Sequence, residues 1–370
     1  MPTELVRMVA CTCDGDALRA LSQSSSYLQA VAYPVLHHYF TIQSAQDVTF
    51  LLCNSRVHML VRSLTITLSD APIELPRLPN VTTLHWTCEN KDPRLQADAI
   101  EIAMVLSLLP ALRSVTLRVD VERLTDMHLG IMFAADAIET LDIAFPSVAP
   151  QYTHCSRPTD FSRLRRLHLS ACKDSDITPY IRECIAPYAP HLEYVSFASS
   201  CEWVTFCTAL DCLPRTIQEI EISDFVGMDA YDDNRYEELS CLSTIVLDVR
   251  RIKTDIDVAW DALTTFTTIF AASRLLPVLH TVRIRLDASV FVEAFLQGRE
   301  DWYIFDSQHG GESPIQWDVW LPNAMVRGSR MEFELSSVER LDSDDYYMLR
   351  FAMSAALSSL GDHRVAFVIL

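Results

Sequence analysis

The sequence predicts an α/β chain built as a stack of strand–loop–helix units behind a short module of helices. Three observations predict it. A six-residue apolar pattern returns nine times along the 370 residues, the gaps within that pattern are polar, and the spacing turns helical between copies and in the first forty residues.

The pattern is apolar, two polar, apolar, one residue, apolar. It stands at Val61–Leu64–Ile66, Val81–Leu84–Trp86, Leu112–Val115–Leu117, Ile138–Leu141–Ile143 and Leu164–Leu167–Leu169. It returns at Leu192–Val195–Phe197, Ile217–Ile220–Ile222, Leu242–Ile245–Leu247 and Leu279–Val282–Ile284. An apolar triple alone arises by chance about once in ~27 windows, so the weight falls on what accompanies it. The paired spacers are polar in every copy except for Tyr194. Successive first sites lie 20, 31, 26, 26, 28, 25, 25 and 37 positions apart. Pro79, Pro110, Pro190 and Pro277 each stand two residues before a first site, where proline ends a helix and favours an extended run into a strand.

The residues between the last two apolar sites are Thr65, His85, Thr116, Asp142, His168, Ser196, Glu221, Val246 and Arg283. Strands covered on both faces are near-continuously apolar, as in an ordinary parallel α/β domain, which is the competing arrangement. Eight of these nine are polar, so one strand face is expected to be wet. Between strands, Gln96 to Leu109, Thr125 to Ala137, Ser175 to Ala186, Glu202 to Leu213 and Ile256 to Leu276 read as amphipathic helices. The array is expected to run from about Val57 to at least Leu286. Beyond it, Met331 to Leu335 alternates like a strand, Val338 to Leu360 reads as a helix and Val365 to Leu370 as a closing strand. The least regular segment, about 300–330, carries Trp302, Trp317 and Trp320 and reads as an insertion; 331–370 reads as a C-terminal cap.

This pattern resembles an irregular leucine-rich repeat. The turn position after each strand carries no regular Asn or Cys, so no asparagine ladder is expected.

The first forty residues follow another rule. Thr3 reads as a helix cap, with Leu5, Val6, Met8 and Val9 forming an apolar face; Asp14 to Asp16 reads as a turn with a second cap; two more short helices stop before Pro34. The pieces Pro2, Glu4-Leu5-Val6, Asp16-Ala17-Leu18 with Leu21, Ser24 to Tyr27, and Ala30 with Pro34 and Leu36 resemble an F-box. A degenerate F-box followed by irregular leucine-rich repeats is similar to the F-box-like families expanded in mushroom-forming fungi. Met1 stands where that family places leucine, and Ala10-Cys11-Thr12-Cys13 replaces a bulky pair. The resemblance implies two parts, residues 1–40 as the F-box-like module and 41–370 as the repeat array. It implies that Pro2, Leu5, Val6, Val9, Leu18, Leu21 and Pro34 contact a Skp-type adaptor, and through it a cullin scaffold, with the ubiquitin chemistry on other subunits. From the residues alone, an end cap for the stack is the alternative role of the same helices.

Composition narrows the function further. A net charge of −19 works against nucleic-acid backbones. Eight glycines and the absence of GxGxxG, GxxxxGK[ST] and GxSxG remove the commonest phosphate-binding and hydrolase designs. Eleven cysteines without a paired framework, and no basic-then-apolar leader, point to free thiols in the cytoplasm or nucleus; no apolar run is long enough to span a bilayer. Cys11-Thr-Cys13 is too tightly spaced for zinc and has no second ligand pair. Cys201, Cys207 and Cys212 fall on different helix faces. His37-His38 lacks an evident carboxylate, and the Asp229–Glu238 acidic run reads as a solvated loop. The Asn80-Val81-Thr82 acceptor triplet reads as chance. No nucleophile–base pair is legible, so no catalysis, metal or cofactor is expected. The expected activity is binding of a target protein on the wet strand face, through Arg118, Asp142, His168, Glu221, Asp248, Arg283 and Arg285. A scaffold without a ligase link is the alternative.

Overall fold

The computed structural model describes residues 3–67, 74–87, 99–118, 130–131, 134–144, 160–170, 180–198, 213–223, 241–248, 250, 279–287, 330–336, 344, 347, 350 and 365–369. It comprises two compact units, Met1–Leu164 and Arg165–Leu370. Both are α/β, with strands that pair in parallel and in sequence order, an arrangement consistent with a solenoid.

The first unit opens with α1 (Thr3–Thr12), α2 (Gly15–Ser24) and α3 (Ser26–Leu36). Asp14 caps α2 by accepting from the Ala17 N–H at 2.8 Å, and Ser25 caps α3 by accepting from Leu28 N–H at 3.2 Å. Thr3 lies inside α1, and its hydroxyl accepts from the Tyr27 hydroxyl at 3.2 Å. The expected stop before Pro34 is overrun, for α3 continues through Pro34 to Leu36. The hydrogen bond lost there is the one to the Ala30 carbonyl, on an exposed residue that water can reach. Ala10, Leu18 and Ala32 form the module's core, with Cys13, Leu21, Val31, Val35 and Leu36 packed against it.

Strand β1 (Tyr39–Ile42) follows at once, ahead of the first copy legible in the sequence. Next come α4 (Ala45–Cys53), α5 (Ser55–His58), β2 (Ser63–Ile66), β3 (Thr83–Thr87), α6 (Ala99–Ser107), β4 (Ser114–Arg118) and β5 (Thr140–Ala144). The register runs Leu64–Leu84–Val115–Leu141 along one apolar row and Ile42–Ile66–Trp86–Leu117–Ile143 along the next. Every member is 2% exposed or less. Each such side chain stabilises by roughly 1.5–3 kcal/mol relative to exposure, so the rows hold the unit together.

The second unit carries β6 (Arg166–Ser170), β7 (Tyr194–Ala198), β8 (Glu219–Ser223), β9 (Thr244–Asp248), β10 (Thr281–Asp287), β11 (Arg330–Ser336) and β12 (Val365–Ile369). Leu167, Val195, Ile220, Ile245 and Val282 share one buried row; Leu169, Phe197, Ile222, Leu247, Ile284 and Phe333 share another. All nine expected copies and the two C-terminal strands are strands.

What locks neighbouring repeats is main-chain chemistry at the residue after each first apolar site. Its carbonyl accepts two consecutive N–H groups of the next repeat. His38 accepts from Arg62 and Ser63, Arg62 from Thr82 and Thr83, Thr82 from Arg113 and Ser114, and Arg113 from Glu139 and Thr140. The same fork recurs at Arg165, Glu193, Gln218 and Ser243, with all these bonds 2.8–3.2 Å. Both lone pairs of each carbonyl are thereby engaged, which fixes the stacking through the main chain.

Just before each of β3 to β8 sits a tight turn. Val81, Leu112, Ile138, Leu164, Leu192 and Ile217 each donate their N–H to the carbonyl three residues back. Pro79, Pro110 and Pro190 therefore occupy the second position of a β-turn, where φ near −65° is required, rather than an extended run into the strand. The same turn shortens the helices. Residues Ala134–Ala137 are turn rather than helix. Ile181–Ile185 is a π-helical turn passing into a 3₁₀ turn, Ala186–Tyr188, where Pro187 has no N–H to continue an α-helix. Asp344, Tyr347 and Arg350 are helical and exposed, as expected within 338–360. The expected helices at 202–213 and 256–276, the insertion at 300–329 with its tryptophans, Pro277, Cys201, Cys207, Cys212 and the 229–238 acidic run lie outside the described residues, apart from Leu213.

Candidate protein-binding surfaces

Helix α1 presents two apolar stripes roughly 130° apart at 100° per residue. Val6 and Ala10 form one and are buried at 5% and 1%. Leu5, Met8 and Val9 form the other and are exposed at 49%, 67% and 53%. The residues that the F-box resemblance singles out thus divide. Leu5, Val9 and Pro34 are exposed; Val6 and Leu18 are buried and Leu21 half-buried, holding the three helices together. Pro2 lies outside the described residues. Met8, read in the sequence as part of the apolar face but not among the adaptor contacts, is the most exposed of the stripe.

The module joins the strands through rings. His37, just after α3, lies 4.3 Å from Tyr33 edge-on and 6.1 Å from Phe50 of α4, which stacks on Phe40 of β1 at 5.9 Å. Burial pushes the His37 imidazole below its usual pKa. Asp47 closes the first turn of α4, accepting at 2.8–3.0 Å from the Gln43 and Ser44 N–H groups and the Ser44 hydroxyl. Desolvation raises the Asp47 carboxyl, but the Gln43 and Ser44 donors hold it below the usual carboxylate range.

The face opposite the apolar rows is polar but not uniformly wet. In the first unit Arg118 and His85 are exposed and Asp142 is half-buried. In the second, Ser196, Ser223, Val246, Asp248 and Asp287 are buried. Strands about 4.8 Å apart bring successive side chains against one another, and charges of opposite sign fold together rather than stand in water.

The structure gathers Glu221, Asp248, Arg283 and Arg285 into one network and adds Arg250, Arg330, Glu332, Glu334 and Tyr194. Arg285 Nη1 lies 2.9 Å from Glu221 and 3.8 Å from Asp248, while its Nε donates to Glu334 at 2.7 Å. Arg283 Nε is shared by Glu332 at 2.9 Å and Glu334 at 3.0 Å. Arg330 Nε lies 2.9 Å from the other oxygen of Glu332. Asp248 accepts from Arg250 through Nε at 2.8 Å and through Nη2. Desolvation works against the Arg285 charge, but Glu334 and Glu221 raise its pKa, so it stays a cation.

Tyr194 donates its hydroxyl to Glu221 at 2.8 Å. Burial first, then the Glu221 charge and hydrogen bond, push that phenol well up. Its ring carries the Arg166 guanidinium at 4.1 Å and lies 4.9 Å from His168. Glu332, Glu334, Arg330 and Tyr194 were missed in the sequence. The register itself is the signal for the first two: Glu332 is the β11 partner of Arg283, and Glu334 of Arg285.

Other candidates resolve simply. Asn80 Nδ2 donates to the Met59 carbonyl at 2.9 Å, so the amide of the acceptor triplet is engaged within the fold. Cys11 is exposed and Cys13 half-buried, both unpaired thiols. Among the described residues no group of three or more His, Cys, Asp or Glu is placed to hold a metal ion, and no helix is long and apolar enough to cross a membrane. No protein-family model and no curated protein matches this chain.

Proposed function

We propose that this chain is a non-catalytic, intracellular protein-binding adaptor: a leucine-rich-repeat solenoid whose N-terminal F-box-like helices dock a Skp-type protein of a cullin-based ubiquitin ligase. The polar strand face would hold the target. The observation that carries this reading is the divided helix α1. One stripe is consumed in the module core, and the second, Leu5–Met8–Val9, stands in solvent. Three contiguous exposed aliphatic side chains on a helix folded against its own module suit a helix-face interface.

Co-expression with a Skp-type adaptor and size-exclusion chromatography test it. The intact chain co-elutes with the adaptor, and the Leu5→Asp/Val9→Asp double variant does not while keeping its thermal transition. Failure of the intact purified chain to bind overturns the adaptor reading.

A scaffold without a ligase link is favoured by a different observation, the Tyr33–His37–Phe50–Phe40 ring contacts that tie the module to the first strand and helix. A pure end cap requires such a joint. Under that reading, removing residues 1–36 destabilises the strands, and no adaptor binds the intact chain.

A further inference from the structure

The charged network of the second unit is layered. Among the described residues, in each of its seven arginine–carboxylate pairs the arginine is the more exposed partner: Arg330 at 55% over Glu332 at 12%, Arg250 at 36% over Asp248 at 10%, Arg283 at 27% over Glu332 and Glu334 at 12% and 14%, and Arg285 at 20% over Glu221 at 15%, Asp248 at 10% and Glu334 at 14%. Carboxylates form the floor and guanidiniums the roof.

The roof presents donors to solvent. A guanidinium carries five N–H groups in a planar fork. Arg283 and Arg330 meet their carboxylates most closely through Nε, and their side chains keep 27% and 55% of their surface in solvent, which leaves Nη donors for a ligand to meet. Glu332 holds both arginines, one on each carboxylate oxygen, so the two forks stand beside each other on neighbouring strands.

We infer that Arg283 and Arg330 form an acceptor for side-chain carboxylates of an acidic peptide segment in the target. The inference rests on the reading of the polar strand face as the target surface. Paired forks match carboxylate oxygens two by two, which a lysine cannot do. Carboxylates lie beneath the arginines, so a phosphate dianion would meet more repulsion there than a monoanionic carboxylate. The chain's net charge of −19 favours short acidic stretches over long ones.

Fluorescence anisotropy with the full-length chain, no adaptor present, tests this. The probes are labelled Gly-Glu, Gly-Gln and Gly-Lys repeats of equal length. The Glu peptide is expected to bind at least about tenfold tighter than the Gln peptide, since two charge-assisted bonds are gained. Arg330→Gln is the clean variant: its side chain is exposed, and Glu332 keeps Arg283. It should remove most of that selectivity at an unchanged melting temperature; Arg283→Gln should also remove it, but at a lowered melting temperature, because Glu332 and Glu334 lose a shared cation. Arg113→Gln, an exposed arginine paired with Glu139 in the first unit, should leave binding unchanged. Equal binding of the Glu and Gln peptides, preference for the Lys peptide, or full selectivity in Arg330→Gln would overturn the inference. Those results leave adaptor docking untouched, and failed adaptor docking leaves this titration untouched.

Discussion

Arg285 on β10 reaches past β9 to the Glu221 carboxylate on β8, 2.9 Å away, while its Nε donates to Glu334 on β11 at 2.7 Å. One side chain thus ties together strands three apart in the ladder. Removing it leaves Glu221, Asp248 and Glu334 close together with less cation to balance them. Arg285→Met is expected to destabilise the second unit by about 2 kcal/mol, below the 3–5 kcal/mol of a fully buried pair because these side chains keep some solvent. The denaturant midpoint measures it. Adding Glu221→Gln should recover part of the loss, because one repelling charge is gone.

The two stripes of α1 should separate binding from folding. Leu5→Ala, Met8→Ala and Val9→Ala are each expected to change stability by no more than about 0.5 kcal/mol, since exposed positions carry little packing. Leu18→Ala should cost about 2–3 kcal/mol, near the low end for buried leucine in so small a core. Urea titration of the two sets checks the division, and equal effects from both would contradict it.

Asp47 holds the start of α4 by three donors. Asp47→Ala is expected to cost about 1 kcal/mol, the usual value of a helix cap. Its folded pKa is depressed. The stabilisation is therefore complete above the unfolded carboxylate pKa and is lost as pH falls through the lower folded value, under acid conditions. Thermal melts of wild type and variant should converge there.

His37 carries the opposite charge logic with the same pH direction. Burial lowers its pKa below 6.5, so the unfolded chain binds the proton more readily. Stability of the module-to-strand joint should hold above pH 6.5 and decline as pH falls below it. His37→Phe, keeping a ring against Tyr33 and Phe50, should flatten that decline, as read from melting temperatures across the range.

The strands were legible because burial on one face imposes a period of two, which the apolar triples and polar gaps record directly. Strand β1 was not, because Tyr39-Phe40-Thr41-Ile42 follows the helices without the preceding apolar site and polar pair. The N-terminal signature of α4 was present as Ser44-x-x-Asp47, a capping-box spacing that passes unnoticed in the gap between two patterned regions. The polar face was only half legible. Sequence spacing assigns Glu221 or Arg283 to the correct side of a strand. It does not say that a neighbour 25 to 50 positions away carries the opposite charge in register and folds over it. Glu332 and Glu334 sit in an alternating segment, Met331 to Leu335, where each glutamate reads as simple solvent-facing polarity until the pairing with β10 is known.

The forked carbonyls carry a consequence for how such a chain can drift. The link from repeat to repeat depends on main-chain groups at a position occupied by Arg62, Thr82 and Arg113 in the first unit and by Arg165, Glu193, Gln218 and Ser243 in the second. No side-chain identity is required there, only a residue with an N–H. Substitutions at these sites are free to accumulate in any order, with proline alone forbidden at this position and the next. A fold stitched in this way keeps its geometry while its surface text is rewritten, leaving little for a side-by-side reading of sequences to recognise.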